Sequence, residues 1–319
     1  MLEPRQAVFF LLPRFSMIAL YSALEPLRVA NRFRPGAFAW RFVSVDGQAV
    51  TASNGIPVSV EGTLAGLAQA DLLVVSASYD HEQGMTSETF NELRRLARTG
   101  ALLGATDTGA FLLAGAGVLE GYRATCHWES LPAFRETFPS VIAEDARYVI
   151  DRGRMTASGG ASALDMMIEW LAAIEGEALA ASVAESLVHD RHPGATGEGR
   201  TPLSRRYAGA DPRLLAAIAT MEAALEDPLP ISLIAGRAGL SQRQLDRLFR
   251  VRFGAGPRDF YLRLRLERAE RLLHYSKLSV REVAVASGFG SLAQFSRTYK
   301  ARFGLPPSRQ RTRPVPSGG

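Results

Sequence analysis

One cysteine, Cys126, is all that the 319 residues contain. No intrachain disulfide can form, which suits a reducing compartment, and no Cys-x-x-Cys pair exists for a zinc site. Histidine is scarce too: five residues, none spaced like His-x-x-x-His, leave no metal centre to expect. His81, His189, His192 and His274 read as surface or packing residues. Long apolar runs are missing. The longest tract, Ala101 to Leu119, is broken by Asp107, two threonines and four glycines, so it makes a poor membrane span. The start, MLEPRQAVFFLLPRF, carries Glu3 and lacks a small-residue cleavage site, so a buried strand is expected there and not a signal peptide. No phosphate-cradling glycine loop is evident either, because Gly115-Ala116-Gly117 falls inside a helical pattern. These absences point to a cytoplasmic chain without membrane contact, cofactor or metal.

What remains is ordinary in bulk and divided in charge. The apolar fraction of 47% and charged fraction of 22% suit globular protein, and the length suggests two domains. The net charge of +5 conceals 19 Lys and Arg against 9 Asp and Glu from Asp211 onward, leaving 18 basic against 23 acidic residues before it. Only the rear is thus suited to a polyanion. "HDRHPGATGEGRTPLSRRYAGADPR", from His189 to Arg213, has no apolar periodicity and reads as a linker. The expected division is a front domain over 1–189, a linker over 190–210 and a rear domain over 211–319. In front, strand patterns ("AVFFLL", "WRFVSV", "DLLVVSA", "ALLGA") alternate with helical ones. The latter are "MIALYSALEPLRVANR", kinked or broken at Pro26, "SETFNELRRLARTG", and a final "ALDMMIEWLAAIEG" stopped by Gly176. Such alternation implies an α/β fold, a parallel sheet sandwiched by helices. The rear reads as all-α.

The rear contains a degenerate repeat. "LIAGRAGLSQRQLDRLFRVRFG" (Leu233–Gly254) matches "VAVASGFGSLAQFSRTYKARFG" (Val283–Gly304), with one extra residue in the second turn. Each copy reads as a helix-turn-helix: Gly239 and Gly288 in the turns, Ser241 and Ser291 as caps, and Leu245, Leu248, Phe249, Phe295 and Tyr299 inward. Gln242, Arg243, Asp246, Arg247 and Arg250 then face outward on the first copy, with Leu292, Ala293, Ser296, Arg297 and Lys300 outward on the second. Gln and Arg near a helix start can read base edges, while later Arg and Lys meet phosphates. The helix between them, "PRDFYLRLRLERAERLLHY", would hold both heads for successive major grooves, about 10 bp apart. The expected DNA-binding residues are Gln242, Arg243, Arg247, Arg250, Leu292, Ala293, Arg297 and Lys300, and the partner is a double-stranded DNA operator.

This arrangement, over about Asp211–Arg309, resembles the AraC family of transcriptional regulators, most specifically in "GFGSLAQFSRTYKARFGLPPSRQR". The resemblance implies a DNA-binding output domain that usually activates transcription, with RNA polymerase as a partner if it does.

In front, "LLGATDTGAF" reads as strand, sharp turn and helix, the layout that exposes a nucleophile in many hydrolytic folds, here with Asp107 at the turn. "GATDTGAFLLAGAGVLEGYRATCHWE" and the later "TASGGASALDMMIEWLA" resemble the PfpI-type branch of the class I glutamine-amidotransferase-like superfamily, which implies a flavodoxin-like fold over roughly residues 6–188. Enzymes of that superfamily carry Cys at the elbow and often His after the next strand; here Asp107 and His127 occupy those places, and Cys126 does not restore the nucleophile. Three roles are open to Asp107: a weak carboxylate nucleophile, a helix cap, or a ligand contact. Expected ligand-binding residues are Asp107, His127, Trp128, Glu25 and Tyr79, since a carboxylate beside aromatic rings suits an ammonium or guanidinium. PfpI-like front and AraC-like rear together resemble GlxA-type regulators, and "DTGAFLLAGAG" with "GYRATCHWE" resembles those controlling glycine betaine, carnitine or arginine catabolism. That resemblance implies a ligand-responsive homodimeric activator that is not an enzyme. Two alternatives stand beside it: a hydrolase or amidase tethered to DNA, and a constitutive DNA-binding protein whose front only dimerises.

Overall fold

The computed structural model describes residues 3–190, 203–276 and 278–310, which fall into two compact units, one on each side of residues 191–202. The strands of the first unit are β1 (Arg5–Leu11), β2 (Phe38–Val43), β3 (Val50–Thr51), β4 (Pro57–Val58), β5 (Leu72–Ala77), β6 (Leu102–Asp107), β7 (Arg123–Ala124), β8 (Ile142–Ala143), β9 (Tyr148–Asp151) and β10 (Arg154–Ala157). Six of them form one sheet in the order β2-β1-β5-β6-β10-β9. All neighbours run parallel except β9, which pairs antiparallel with β10. Its helices are α1 (Met17–Phe33), α2 (Ser87–Arg98), α3 (Gly109–Gly115), α4 (Leu131–Thr137), α5 (Ser162–Glu175) and α6 (Glu177–Ser186).

Helices on both faces explain why β5, LLVVSA, is buried at every residue instead of alternating. Phe9 and Leu11 of β1 share a core with Leu20 and Leu27 of α1, Met166 and Leu171 of α5, and Leu179 and Val183 of α6. Val8 and Phe10, also buried, turn to the other face by strand alternation, and α3 packs against β5 and β6. Each such Leu or Phe contributes about 1.5–3 kcal/mol by leaving water. This is the expected sandwich of a mostly parallel sheet between helices.

Several local expectations change. α1 runs to Phe33 through Pro26 without a break, its flanks pinned by buried Leu24 and Leu27. The helix after β10 is not the last of the unit: α6 follows once Gly176, at φ 94°, has turned the chain. α3 stops at Gly115, so the 115–117 stretch is a helix end and not a helix interior. Asp165, in the first turn of α5 and only 2% exposed, binds Arg147 and, at 2.7 Å, the His189 ring, tying the end of this unit to its core.

The second unit is helical throughout its described residues: α7 (Leu203–Arg206), α8 (Pro212–Ala223), α9 (Ile231–Arg237), α10 (Gln242–Phe253), α11 (Pro257–Tyr275), α12 (Val280–Ala286), α13 (Leu292–Phe303) and α14 (Pro307–Gln310). Leu203, Tyr207 and Ala210 pack against the core of Ile218, Ile234, Phe249 and Phe260. The stretch expected as linker therefore loses residues 203–210 to the second unit, while 191–202 and His192 lie outside the described residues. No described helix is long and apolar enough to cross a membrane.

Candidate functional site

β6 ends at the middle of the sheet, between β5 and β10, and its last residue is Asp107, in register with Ala77. The elbow is real geometry: Asp107 takes φ 58°, left-handed backbone that Asp tolerates better than most residues. Two residues on, α3 must begin with glycine, because a Cβ at Gly109 would sit 2.3 Å from the Val75 carbonyl oxygen. The N-cap position of α3 belongs to Thr108, and no side-chain hydrogen bond caps that helix; the Thr108 hydroxyl instead donates to the Ser78 carbonyl at 2.5 Å.

Asp107 is 7% exposed. Burial raises its pKa to about 6, against the pull of the His127 imidazole, the Ser78 hydroxyl and the Thr108 amide, with the Glu129 charge adding to the rise. On the side of the β10–α5 turn, a Cβ at Gly159 would lie 3.3 Å from Oδ2, so backbone without a side chain lies against the carboxylate. Cys126 is buried as well. Burial, and then the Asp107 charge, hold its thiol well above the ordinary range, so it stays protonated.

The segment that brings His127 here is fixed from below. Thr125 donates its N–H to the Thr156 hydroxyl of β10 at 2.8 Å and its own hydroxyl to the Ala146 carbonyl at 3.0 Å. His127 then starts α4 by accepting from the Ser130 and Leu131 amides, at 2.9 and 3.0 Å. Its Nδ1 accepts from the Glu129 N–H at 3.4 Å and lies 3.7 Å from that carboxylate. The Trp128 ring lies 5.7 Å from the imidazole, centroid to centroid.

Of the five expected ligand-binding residues, Asp107, His127 and Trp128 gather at this corner. Tyr79 follows β5 one residue beyond Ser78, but the Arg14 guanidinium covers its ring at 4.9 Å and pairs with Asp80 at 3.2 Å. Glu25 instead engages Arg28, 2.6 Å away on the same helix, and the charges felt by Asp107 are those of His127 and Glu129. Glu129, within a quoted motif, and Ser78, one residue past another, were not anticipated, because a carboxylate next to Trp and a serine at a strand end carry no spacing signal. His81 is a packing residue: 2% exposed, its ring 4.5 Å from Phe111, and neutral because burial pushes its pKa to about 4. Among the described residues, no group of three or more His, Cys, Asp or Glu could hold a metal ion.

The second unit presents two matching heads. Ser241 and Gln244 form a reciprocal capping box at the start of α10, and Ser291 accepts from the Gln294 amide at the start of α13. Leu245 and Phe249 are buried in one head, Phe295 and Tyr299 in the other. Gln242, Arg243, Arg247, Arg250, Leu292, Ala293, Arg297 and Lys300 are all exposed, while Asp246 and Ser296 are half-buried. Asp246 also holds Arg250 at 2.7 Å, so that guanidinium starts from a partner one turn away.

The second turn is the tighter one. Gly288, at φ 76°, lies against Leu225 and Pro228, where a Cβ would meet the Leu225 carbonyl oxygen and the proline ring at 2.5 Å. Phe289 takes the place of Leu240 in the first turn and is buried 5.0 Å from the Phe295 ring, so the extra residue is Gly290, exposed before the Ser291 cap. α11 holds the connection before the first head and the turn of the second. Tyr261 binds the Ala224 carbonyl and accepts from the Leu229 amide at 3.3 Å before the first head. Arg265 donates to the Ser287 and Gly288 carbonyls at 3.0 and 2.5 Å, and its guanidinium stacks 4.3 Å from the Phe289 ring.

Comparison with known proteins joins the two halves. Residues 6–173 match the DJ-1/PfpI family and residues 234–313 match a helix-turn-helix domain. The chain is 42% identical to the HTH-type transcriptional regulator CdhR of Pseudomonas aeruginosa, covering 95% of this chain and 90% of that one. It is 37% identical to the HTH-type transcriptional regulator GlxA of Rhizobium meliloti, over 97% of this chain and 96% of that protein. A crystal structure of an AraC family transcriptional regulator from Pseudomonas putida superposes on 58% of this chain, and on all of its own, with TM-score 0.54 at 30% identity.

Proposed function

This chain belongs to the DJ-1/PfpI family and to the AraC-type transcriptional regulators, and from that membership we propose that it is a metabolite-responsive activator of catabolic genes. Its effector is a small cation or zwitterion of the betaine, carnitine or arginine kind. One observation carries this reading: Asp107, a carboxylate at the end of a central strand, buried at a cost in ionisation and backed by His127 and Trp128. A positive group delivered by a ligand relieves that cost, and an aromatic face adds cation–π attraction of about 0.5–2 kcal/mol. A neutral or anionic metabolite gains nothing there.

The output is sequence-specific binding to a double-stranded operator through the exposed faces of α10 and α13. Arg247, Arg250, Arg297 and Lys300 meet phosphates, while the helix starts address bases. The protein works in the cytoplasm as a homodimer without metal or cofactor, the domain before the linker sensing and the one after it reading DNA. As an activator it engages RNA polymerase. Effector binding shifts a population of arrangements toward one whose paired reading domains fit a two-part operator.

The test is calorimetric titration of the protein and of Asp107→Asn with glycine betaine, carnitine and arginine, beside neutral and anionic controls. Binding of one cation, weakened at least tenfold by Asp107→Asn, is expected; equal affinity in both proteins would remove the effector assignment. On DNA, Arg243→Ala should lower affinity for an operator selected from random duplexes more than affinity for random DNA, whereas Arg297→Ala, a phosphate contact, should lower both alike. A second reading draws on the strained elbow, which would also present a carboxylate nucleophile. It requires turnover of amides, esters or haloalkanes that disappears in Asp107→Ala, and its absence leaves the sensor.

A further inference from the structure

The two heads are the same frame carrying different chemistry. α10 and α13 both begin on a serine cap bonded to the third helical amide, both span twelve residues, and both bury their fourth and eighth positions. Their first two residues therefore occupy corresponding places on the exposed faces. In α10 these are Gln242 and Arg243, both able to donate hydrogen bonds. In α13 they are Leu292 and Ala293, which have none to give.

Leu292 keeps 45% of its surface in water while the core of its own head is completed by Phe289, Phe295 and Tyr299. Packing does not explain it. Arg297 and Lys300 continue along the exposed surface of the same helix, which carries no acidic residue. The surface is positively charged with an apolar leading edge.

A major groove offers one apolar group at its base edges, the 5-methyl of thymine, whereas its other features are hydrogen-bond donors and acceptors. Gln and Arg suit the N7, O6 and N6 edges of purines. Resting on the reading of this unit as a sequence-specific DNA binder, we propose that the α13 head reads thymine methyl groups through Leu292 and Ala293, while the α10 head reads purine edges. The operator is then chemically unequal in its two half-sites for each protomer: hydrogen-bonded contacts in one, methyl contacts in the other.

The full chain is used to select bound sequences from a random duplex library. The enriched duplex is then made with thymine or with uracil, which removes only the methyl, and affinities are compared at one salt concentration. The uracil duplex should bind more weakly by about fourfold for each methyl contacted. The double variant Leu292→Ser, Ala293→Ser, two exposed substitutions, should still bind the thymine duplex but bind the uracil form equally well. Gln242→Ser should lose affinity for both forms and keep the thymine preference. Equal binding of thymine and uracil duplexes by the unsubstituted protein overturns the proposal, as does a thymine preference that survives undiminished in the double variant Leu292→Ser, Ala293→Ser. Enrichment of no duplex at all would instead remove the DNA-binding reading on which the proposal rests.

Discussion

At the residue scale, Asp107 carries a cost of burial that the proposed effector would relieve. Its folded pKa of about 6 lies above the unfolded carboxylate value, so the carboxyl favours folding when protonated and opposes it when ionised. That contribution is fully present below the unfolded value near 4 and is lost as pH rises through 6. Asp107→Asn should therefore raise the effector-free melting temperature at pH 8, by an amount equivalent to as much as ~3 kcal/mol, and by much less at pH 4. The effector shows the opposite dependence. Only the carboxylate pairs with a cation, so affinity should be flat above pH 7 and fall toward tenfold per unit below pH 6. Titrations from pH 5 to pH 8 read both effects; a cation affinity that holds level down to pH 5 would separate the effector from Asp107. Asp107 and His127 were legible in the sequence because the elbow and the residue after the next strand are fixed by order along the chain. The pairing of Glu25 with Arg28 was open to the same reading, since oppositely charged residues three apart on a helix are neighbours, and was not made.

At the element scale, the repeat was legible because each copy carries cap, turn and two inward positions at fixed offsets, and α10 and α13 form as those offsets require. The β9–β10 hairpin was not read, although Arg152 and Gly153, at φ 47° and 85°, make a two-residue turn between its strands. An arginine in that place lacks the Asn-Gly or Asp-Gly signature. α6 was also missed, since its buried face is Leu179, Ala180, Val183 and Ala184, and alanine blurs the contrast between faces. The extra residue in the second turn was visible as a changed offset, but its effect on the surroundings was not. Gly239 and Gly288 share left-handed backbone, yet a Cβ at Gly239 meets nothing within 4 Å, while one at Gly288 meets backbone and proline at 2.5 Å. Gly239→Ala should thus cost only the backbone strain, about 1–2 kcal/mol. Gly288→Ala adds a clash that must displace the Leu225–Pro228 segment, and should cost about twice as much or more. Urea unfolding of the two variants compares them directly; equal losses would mean that the second turn yields without resistance.

At the scale of the whole molecule, the acidic front and basic rear were plain in composition, and they assign polyanion binding to one unit alone. Arg247, Arg250, Arg297 and Lys300, if all four meet phosphate, give a logarithmic salt slope of about −3.6 per reading domain, diminished by about 0.9 for each removed. In the proposed sensor the front unit would act through linkage. When an effector raises operator affinity by some factor, operator DNA must raise effector affinity by the same factor, because both are legs of one thermodynamic cycle. The sequence could not reveal this coupling, since it resides in the relative populations of arrangements and not in any motif. Measured on one preparation, effector affinity with and without saturating operator should change by the factor seen for operator affinity with and without effector, typically 5- to 150-fold. A constitutive binder gives unity on both legs. A change of operator affinity alone would mean that the small molecule acts on the DNA or through the polymerase, and not through the site at Asp107.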